Sequence, residues 1–415
     1  MSKIKVFYDA VRCNPYSSIQ FYRMLSPDQV DNLLLMDIAD THTATENYYL
    51  YFHMYDALYH SHFDNFCDEL AKCNYDVNQV PAWNAIMNMR GIMALTDVHI
   101  RDIKSGKCKV IIDTVLEGFF LTAWRFIHHI FDSEPSSIIW LTGDYKLAYK
   151  NDIGYDLRTI NYWERHMSEQ NQSGDEMREF LKEISTPPNP NGTRLHYCTY
   201  YNRRIRNHRV DMMIEMFHRE QTKNMIWSWG GNVEKYAMHI RSPRYRNYII
   251  NKFGNEYINA ASDVLAWGNR QSHPSTTDNL SVNLCQIYNF DHIRNTYYQF
   301  VVETFASDGI HTFLSEKTFK AFLFRQPFVM WGDPNTVSEL RKSGYKTFDH
   351  WINHSYDTIE NPDDRRQAIA DEIVRLNSIP KHEWTSMLIE MQEELNHNYH
   401  HLVDTAHNRY SLKLE

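Results

Sequence analysis

Four arginines and a histidine are concentrated in the run NRRIRNHR at residues 202–209. The run follows a predicted strand at residues 195–201 (LHYCTYY) and precedes a predicted helix at residues 207–220, where apolar residues recur at helical spacing. In an open α/β sheet, ligands bind at the carboxyl ends of the strands, where helix dipoles and backbone N–H groups favour anions. We therefore expect an anion site, because arginine pairs well with phosphate; a solvated basic turn is the alternative. The arginines concerned are Arg203, Arg204, Arg206 and Arg209.

A second polar group lies at the start of another predicted helix. In the run FLSEKTFK, Ser315 precedes Glu316 and Lys317, and Lys320 comes about one turn later. A carboxylate can accept hydrogen bonds from both hydroxyls of a ribose, and a lysine can pair with a diphosphate. We therefore expect Ser315, Glu316, Lys317 and Lys320 to bind a phosphate-bearing donor. The alternative is that Ser315 only caps the helix.

Carboxylates also follow two predicted strands in the first half of the chain. The strand KVIID ends at Asp113, and Glu117 follows beside Gly118. A carboxylate in this position can act as the general base that removes the proton of an acceptor hydroxyl. Glu117 and Asp113 are thus the candidate catalytic residues, and Glu117 is preferred because glycine permits close approach of a substrate. Asp144 is a candidate acceptor-binding residue, while a helix cap at Asp113 and a solvent-facing Glu117 are the alternatives.

Predicted strands and helices alternate along the chain. Apolar runs at residues 3–8, 33–38 and 138–141 are typical of strands, and a helical stretch precedes the last of them. In the second half, residues 297–303 and 327–331 are predicted strands that flank a helix. This βαβ rhythm predicts an α/β fold with parallel sheets and helices on their faces.

The length of the chain indicates two domains, because 415 residues exceed what one hydrophobic core usually supports. Residues 185–194 contain three prolines and a glycine and are the predicted linker. The linker would separate an N-terminal domain at 1–184 from a C-terminal domain at 195–380. Residues 381–415 are expected to form a C-terminal helical segment.

The composition is that of a globular protein, with 43% apolar and 23% charged residues. The formal net charge of −9 gives no general attraction to nucleic acids or anionic membranes. The N-terminus lacks an apolar signal core, and no stretch approaches the roughly 20 apolar residues of a membrane span. The six cysteines form no CxxC pair. We therefore expect a cytoplasmic protein with reduced thiols and no membrane span.

The order of motifs in the second half resembles a known family. Residues 298–325 (YQFVVETFASDGIHTFLSEKTFKAFLFR) and 326–334 (QPFVMWGDP) resemble the donor-binding motif of GT-B glycosyltransferases of the α1,3-fucosyltransferase type. They are more similar still to bacteriophage-encoded proteins of that kind, which share the Asn-Arg-Arg turn and a tail like residues 344–351. The resemblance covers roughly residues 195–380.

This resemblance implies a GT-B fold, in which two Rossmann-like domains face each other across a cleft. It assigns the ribose to Glu316, the diphosphate to Lys317, and a second cation to Arg203, Arg204 or Arg206. The chain departs from fucosyltransferases at Lys320-Ala-Phe-Leu-Phe, where they often carry a small or hydroxylated residue and an asparagine, so the sugar and the base stay open. No DxD pair is present at the aspartates that could hold a metal beneath the diphosphate, and a metal-independent mechanism without a cofactor is expected. These aspartates are Asp263, Asp278 and Asp333.

The expected function is transfer of a hexose or pentose from a nucleotide sugar to an acceptor hydroxyl, in the host cytoplasm if the protein is phage-encoded. The acceptor is open between a hydroxymethylated base in DNA, a glycan and a small metabolite. DNA is supported by a basic cluster near the strand KVIID. A catalytically inactive GT-B-like module that binds a glycan or nucleotide is the alternative function, and the absence of a GxxxxGK[ST] loop argues against a kinase. The basic cluster comprises Arg101, Lys104, Lys107 and Lys109.

Overall fold

The chain divides into two compact units. The first comprises Met1–Arg165 and Ala406–Glu415, and the second comprises His166–Thr405. Within the residues that the structure describes, no helix combines the length and the apolar composition that crossing a membrane requires. The structure is a computed structural model, and it describes residues 3–9, 21–22, 24–53, 60–115, 127–145, 154–170, 174–202, 206–229, 243–268, 289–306, 309, 311–406 and 412–414.

The first unit contains a parallel sheet. Its described strands are β1 (Ile4–Tyr8), β2 (Leu33–Asp37), β3 (Tyr48–His53), β4 (Cys108–Thr114), β5 (Ile138–Thr142) and β6 (Asp156–Thr159). They are arranged in the order β2-β1-β3-β4-β5-β6, and all neighbours are parallel. A parallel sheet covered on both faces needs strands that are apolar along their length. Accordingly, β3 and β5 are buried at every position.

Helices flank this sheet, and its side chains enter two apolar cores. Leu50 and Ile112 belong to one core, whereas Tyr51 and Ile111, their neighbours along β3 and β4, belong to the other. Because successive strand residues point to opposite faces, both faces of the sheet are covered. The described helices wholly within this unit are α1 (Pro27–Val30), α2 (His60–Lys72), α3 (Val80–Ile92), α4 (Asp97–Lys104) and α5 (Ile127–Phe131).

The second unit contains a smaller parallel sheet. Its described strands are β7 (His196–Asn202), β8 (Met225–Trp229), β9 (Thr296–Val302) and β10 (Phe328–Trp331), in the order β10-β9-β7-β8. The division between the two units falls within α6 (Tyr162–Gln170). The remaining described helices are α7 (Asp175–Ile184), α8 (Asn207–His218), α9 (Pro243–Phe253), α10 (Ile258–Gly268), α11 (Phe290–Arg294), α12 (Glu316–Leu323), α13 (Thr336–Lys342), α14 (Pro362–Ser378), α15 (Lys381–Glu390) and α16 (Gln392–Thr405). Short 3-10 turns lie at Ile38–Thr43, Pro135–Ser137, Gln221–Asn224, Asn255–Tyr257 and Ser355–Thr358.

The predicted α/β class is confirmed by these two parallel sheets with their helices. In the second unit, the strands predicted at residues 195–201, 297–303 and 327–331 agree with β7, β9 and β10 to within one residue at each end. Short, mainly apolar runs between polar or turn residues are consistent with buried strands, and these three segments have that pattern.

The proline-rich segment lies inside the second unit and does not separate the two units. Helix α7, which precedes this segment, packs on elements that follow it. Phe180 of α7 stacks on Phe290 with 4.2 Å between ring centroids. Glu183 of α7 accepts hydrogen bonds from Arg294 at 2.9 and 2.7 Å. The division therefore falls between Arg165 and His166 rather than after residue 184.

The C-terminal segment is shared between the two units. Helices α15 and α16 lie within the second unit, which ends with α16 at Thr405, and the last ten residues belong to the first unit. There, Leu412 N donates to Met24 O at 2.7 Å, and Leu412 forms a parallel bridge with Leu25. Residues 381–415 are therefore not one helical segment, because their end adds extended chain to the first unit.

Candidate functional site

The candidate site lies at the carboxyl edge of the second sheet. Strands β10, β9 and β7 are neighbours and parallel, so the chain leaves all three at the same edge. The arginine-rich turn follows β7, and the segment containing Ser315 and Lys317 follows β9. The topology of the sheet therefore places both predicted loops at one edge, where ligands of open α/β folds bind.

The turn after β7 contacts the end of β9 through three cationic or ring side chains. Arg206 Nη1 donates to Thr304 O at 3.0 Å, and Arg209 Nη2 donates to Glu303 O at 3.3 Å. His208 Nε2 lies 3.2 Å from the same Glu303 oxygen. Arg203 and Arg204 lie outside the described residues.

His208 is neutral near pH 7. Burial is the largest cause that lowers its pKa, to about 3, and the charges of Arg209, Arg206 and Lys317 lower it further. Because a carbonyl oxygen can only accept, the neutral ring carries its hydrogen on Nε2 when it bonds to Glu303. The charge of Lys317, in the loop after β9, therefore acts on His208, in the loop after β7.

Glu303 connects the two loops and was not identified from the sequence. Its buried carboxylate accepts hydrogen bonds from Ser315 N at 3.0 Å, from Thr304 N at 3.2 Å and from the Thr318 hydroxyl. Its carbonyl oxygen receives the bonds from the turn after β7. The sequence signal is a charged residue directly after the apolar strand YYQFVV, since a buried carboxylate requires several donors.

The start of α12 is capped by Ser315, as the alternative interpretation proposed. The Ser315 hydroxyl accepts from Lys317 N at 3.4 Å, and Lys317 Nζ donates to the same oxygen at 2.9 Å. Lys317 Nζ also lies 3.1 Å from Glu316 Oε1, and the two side chains are 25% and 19% exposed. A capping role does not prevent ligand binding here, because the lysine and the glutamate remain accessible to solvent.

Glu316 is strongly held in its ionised form. Burial would raise its pKa, but the charges of Lys317 and Lys320 outweigh this effect and lower the pKa to about 2. Arg209, for its part, has its pKa lowered mainly by burial and by the charge of Arg206, while Glu303 and Glu316 act in the opposite direction. The structure thus brings Arg206, Arg209, Glu316 and Lys317 into one electrostatic neighbourhood.

A cavity of about 380 Å³ opens beside Arg206. Its volume falls in the range of about 300–1,000 Å³ that is usual for small-molecule sites. The lining comes from the turn after β7, the ends of β9 and β10, α9 and the start of α14. The lining includes Arg206, His208, Asp211, Tyr248, Lys252, Phe305, Trp331, Asp363 and Arg366.

The carboxylates predicted in the first unit have structural contacts. Asp113 is fully buried at the end of β4 and accepts from Tyr51 Oη at 2.6 Å and from Val115 N at 3.0 Å. Asp144 is also fully buried, and its backbone bonds with the hydroxyls of Thr142 and Thr159 at 3.1 and 3.0 Å. The Asp113 carboxylate thus stabilises the backbone turn that follows β4.

The preferred base, Glu117, lies outside the described residues, and so does Gly118.

Among the described residues, no group of three or more His, Cys, Asp or Glu side chains is arranged to hold a metal ion. The rings of His397 and His401 on α16 bond to the backbone oxygens of Gly344 and Ser343, at 2.9 and 2.7 Å.

Comparison with known proteins gives little that bears on this site. No protein-family model matches the chain, and no curated protein matches it in sequence. Among solved structures, the chain is similar to the N-terminal domain of trehalose-6-phosphate phosphatase from Candida albicans. The two are 8% identical, with a TM-score of 0.35, over 99% of this chain and 97% of the other. A similarity at this level does not establish a shared fold or function.

Proposed function

We propose that the protein is a metal-independent glycosyltransferase that binds a nucleotide sugar at the carboxyl edge of the second sheet. The observation that supports the proposal is that Glu303 contacts both loops. Its carbonyl oxygen accepts from Arg209 in the loop after β7, and its carboxylate accepts from Ser315 in the loop after β9. Each loop brings a cation, Arg206 and Lys317, to this edge. Two cations on separate loops suit a diphosphate, which presents negative charge on two linked groups.

The chemistry of glycosyl transfer makes use of this arrangement. As the bond between the sugar and the diphosphate lengthens, negative charge grows on the leaving group. Arg206 and Lys317 would stabilise that charge without a metal ion. Glu316, ionised at neutral pH because its pKa is about 2, would accept the two hydroxyls of the ribose.

We further propose a GT-B arrangement of two Rossmann-like domains. In this arrangement, a residue of the first unit removes the proton of the acceptor hydroxyl. Glu117 is the proposed base, with Asp113 as the second candidate and Asp144 as an acceptor ligand. The hydrogen bonds from Tyr51 and Val115 occupy one oxygen each of the buried Asp113 carboxylate, and this favours Glu117 as the base. The acceptor is a hydroxymethylated base in DNA or a hydroxyl of a glycan.

The proposal is tested by titration calorimetry with UDP-, GDP- and dTDP-sugars on the wild type and on the Arg206→Ala and Lys317→Ala variants. One of these donors should bind, and each variant should weaken it at least about tenfold, because hydrogen bonds to charged groups contribute about 1.5–3 kcal/mol. Lys223→Ala is the matched control, since Lys223 is exposed and pairs only with exposed Glu220 among the contacts described. Equal affinities in the wild type and both site variants would refute the donor site.

A catalytically inactive binding module is the second candidate, favoured by the burial of Asp113 and Asp144. The two functions differ in one measurement, the slow hydrolysis of the bound donor in the absence of an acceptor. A transferase slowly releases free sugar and nucleoside diphosphate, and Lys317→Ala slows the release. Tight binding without any release would assign the protein to the module class.

A further inference from the structure

The cavity beside Arg206 contains buried hydrogen-bond donors. Trp331, at the end of β10, is 2% exposed, and its indole N–H has no acceptor among the described residues. Arg366 is 1% exposed; its Nη1 pairs with Asp363. Its Nη2 has no hydrogen-bond partner among the described residues, and its Nε lies 3.6 Å from Glu215 Oε2. A buried donor without an acceptor is costly, so a ligand oxygen in this cavity would be stabilising.

Among the described residues, three cations and two carboxylates line the cavity, and a third carboxylate, Glu215, lies 3.6 Å from Arg366. Lys252 Nζ lies 2.7 Å from Asp211 and 3.2 Å from Asp363, and Arg366 pairs with Asp363 and Glu215. Burial would lower the pKa of Lys252, but the charge of Asp211 raises it. Arg206 adds one positive charge to those of Lys252 and Arg366, and His208 adds none because it is neutral. The described lining therefore offers both donors and acceptors without a large excess of either charge.

The aromatic rings of the cavity already have partners. His311 stacks on Phe305 at 4.2 Å between centroids, and the Arg206 guanidinium lies over the same ring. Tyr248 is stacked by Tyr245 at 5.7 Å and has Lys252 over its ring at 5.5 Å. A nucleobase needs an aromatic face on which to stack. The occupied rings make this cavity a poor base site.

We propose that the cavity holds the sugar ring of the donor and selects neutral, polyhydroxylated sugars over acidic ones. The proposal rests on the proposed function, because Arg206 joins the cavity to the diphosphate site. Each sugar hydroxyl both donates and accepts, so a ring of them satisfies the indole N–H of Trp331 and the carboxylate of Asp363 together. A uronate would instead bring a third carboxylate close to Asp211 and Asp363, and the resulting repulsion disfavours it.

The test compares each nucleoside diphosphate with its sugars by titration calorimetry. The probes are UDP, UDP-glucose, UDP-galactose and UDP-glucuronate, and GDP, GDP-mannose and GDP-fucose. The variants are Trp331→Phe, which removes the N–H and keeps a smaller aromatic ring, and Asp363→Asn, which removes the charge and keeps the shape. Asp371→Asn is the matched control, because Asp371 lies on the same helix α14, is exposed and does not line the cavity. Circular dichroism and the melting temperature establish that each variant is folded.

The wild type should bind one neutral nucleotide sugar about tenfold more tightly than the parent diphosphate, as expected for two or three hydrogen bonds. UDP-glucuronate should bind no better than UDP. Trp331→Phe and Asp363→Asn should each lower this preference about two- to threefold and leave the affinity for the diphosphate within about twofold, while Asp371→Asn changes neither.

Two contrary results have different meanings. If a diphosphate binds and no neutral sugar improves on it, or if UDP-glucuronate binds best, the sugar site is overturned and the donor site stands. The sugar site is also overturned if both folded cavity variants keep the tenfold preference. If neither the diphosphates nor their sugars bind to the wild type, the proposed function falls and the sugar site falls with it.

Discussion

Replacing Glu303 with glutamine tests the element that joins the two loops. The carboxylate is fully buried and accepts three hydrogen bonds, from Ser315 N, Thr304 N and the Thr318 hydroxyl. The amide of glutamine keeps one acceptor oxygen but turns the other into a donor. At least one of the three donors therefore loses its acceptor and faces an NH₂ group.

The expected cost follows from these contacts. A hydrogen bond to a charged acceptor contributes about 1.5–3 kcal/mol, and a buried donor left unpaired costs about 1–3 kcal/mol. The two figures both describe the loss of the same hydrogen bond, so they should not be added in full. We therefore expect Glu303→Gln to lower the free energy of unfolding by about 2–4 kcal/mol. For a unit of about 150–250 residues this corresponds to a fall in melting temperature of about 4–16 °C.

Urea denaturation monitored by circular dichroism measures the free energy of unfolding, and calorimetric titration measures donor affinity on the same samples. Thr318→Val, which removes a single donor and keeps the shape, should cost less than Glu303→Gln. Glu220→Gln is the control, because the carboxylate of Glu220 is exposed, and it should stay within about 0.5 kcal/mol of the wild type. If Glu303→Gln is as stable as this control and binds the donor normally, Glu303 does not hold the two loops together.

Two further outcomes concern pH and the first unit. The pKa of Glu316 is lowered from 4.5 to about 2 in the folded protein, so its ionised form stabilises the fold above pH 4.5, and this contribution is lost as the pH falls towards 2. The free energy of unfolding, measured in urea from pH 5 to pH 2, should therefore fall further for the wild type than for Glu316→Gln, by at most about 3 kcal/mol. Parallel curves would contradict the assignment. In the first unit, Tyr51→Phe removes the 2.6 Å hydrogen bond to buried Asp113. It should lower the free energy of unfolding, measured by urea denaturation, by about 1–3 kcal/mol. A change below about 0.5 kcal/mol would mean that Asp113 has a sufficient replacement donor.

The elements that carry the site were predictable because their signals are local. Strands β7, β9 and β10 are apolar runs bounded by polar residues, and α8 and α12 begin where the sequence changes to helical spacing. The positions of the two loops after β7 and β9 follow from the parallel arrangement alone. Capping of α12 by Ser315 was likewise one of the two interpretations that the sequence allowed.

The division into two units was not predictable from the proline-rich segment. Three prolines prevent regular structure wherever they lie, and a loop inside a unit has the same composition as a linker between units. The evidence that decides between them is the packing of Phe180 on Phe290 and the pairing of Glu183 with Arg294, residues more than a hundred positions apart. Contacts of this range leave no periodic signal in the sequence.

The cavity depends on the same kind of information. Lys252 comes from α9 and Asp363 and Arg366 come from α14, and neither segment carries a recognisable motif. Glu303 is an intermediate case, since a carboxylate directly after an apolar strand is visible in the sequence but its three donors are not. The basic turn and the Ser-Glu-Lys segment indicate where a ligand would bind, whereas the residues that shape the cavity are fixed by tertiary packing.

Donor binding and the contacts of Lys317 are coupled. Lys317 Nζ contacts both Glu316 Oε1 and Ser315 Oγ, so a diphosphate that binds this lysine competes with the carboxylate beside it. Glu316 remains ionised through this exchange because its pKa is far below neutrality, and it then requires new donors, which the ribose hydroxyls would provide. A nucleotide satisfies both side chains, whereas inorganic diphosphate satisfies only Lys317 and leaves the carboxylate facing added negative charge. The arrangement therefore favours a nucleoside diphosphate over free diphosphate, and Glu316→Gln should reduce this preference by weakening nucleotide binding and strengthening diphosphate binding.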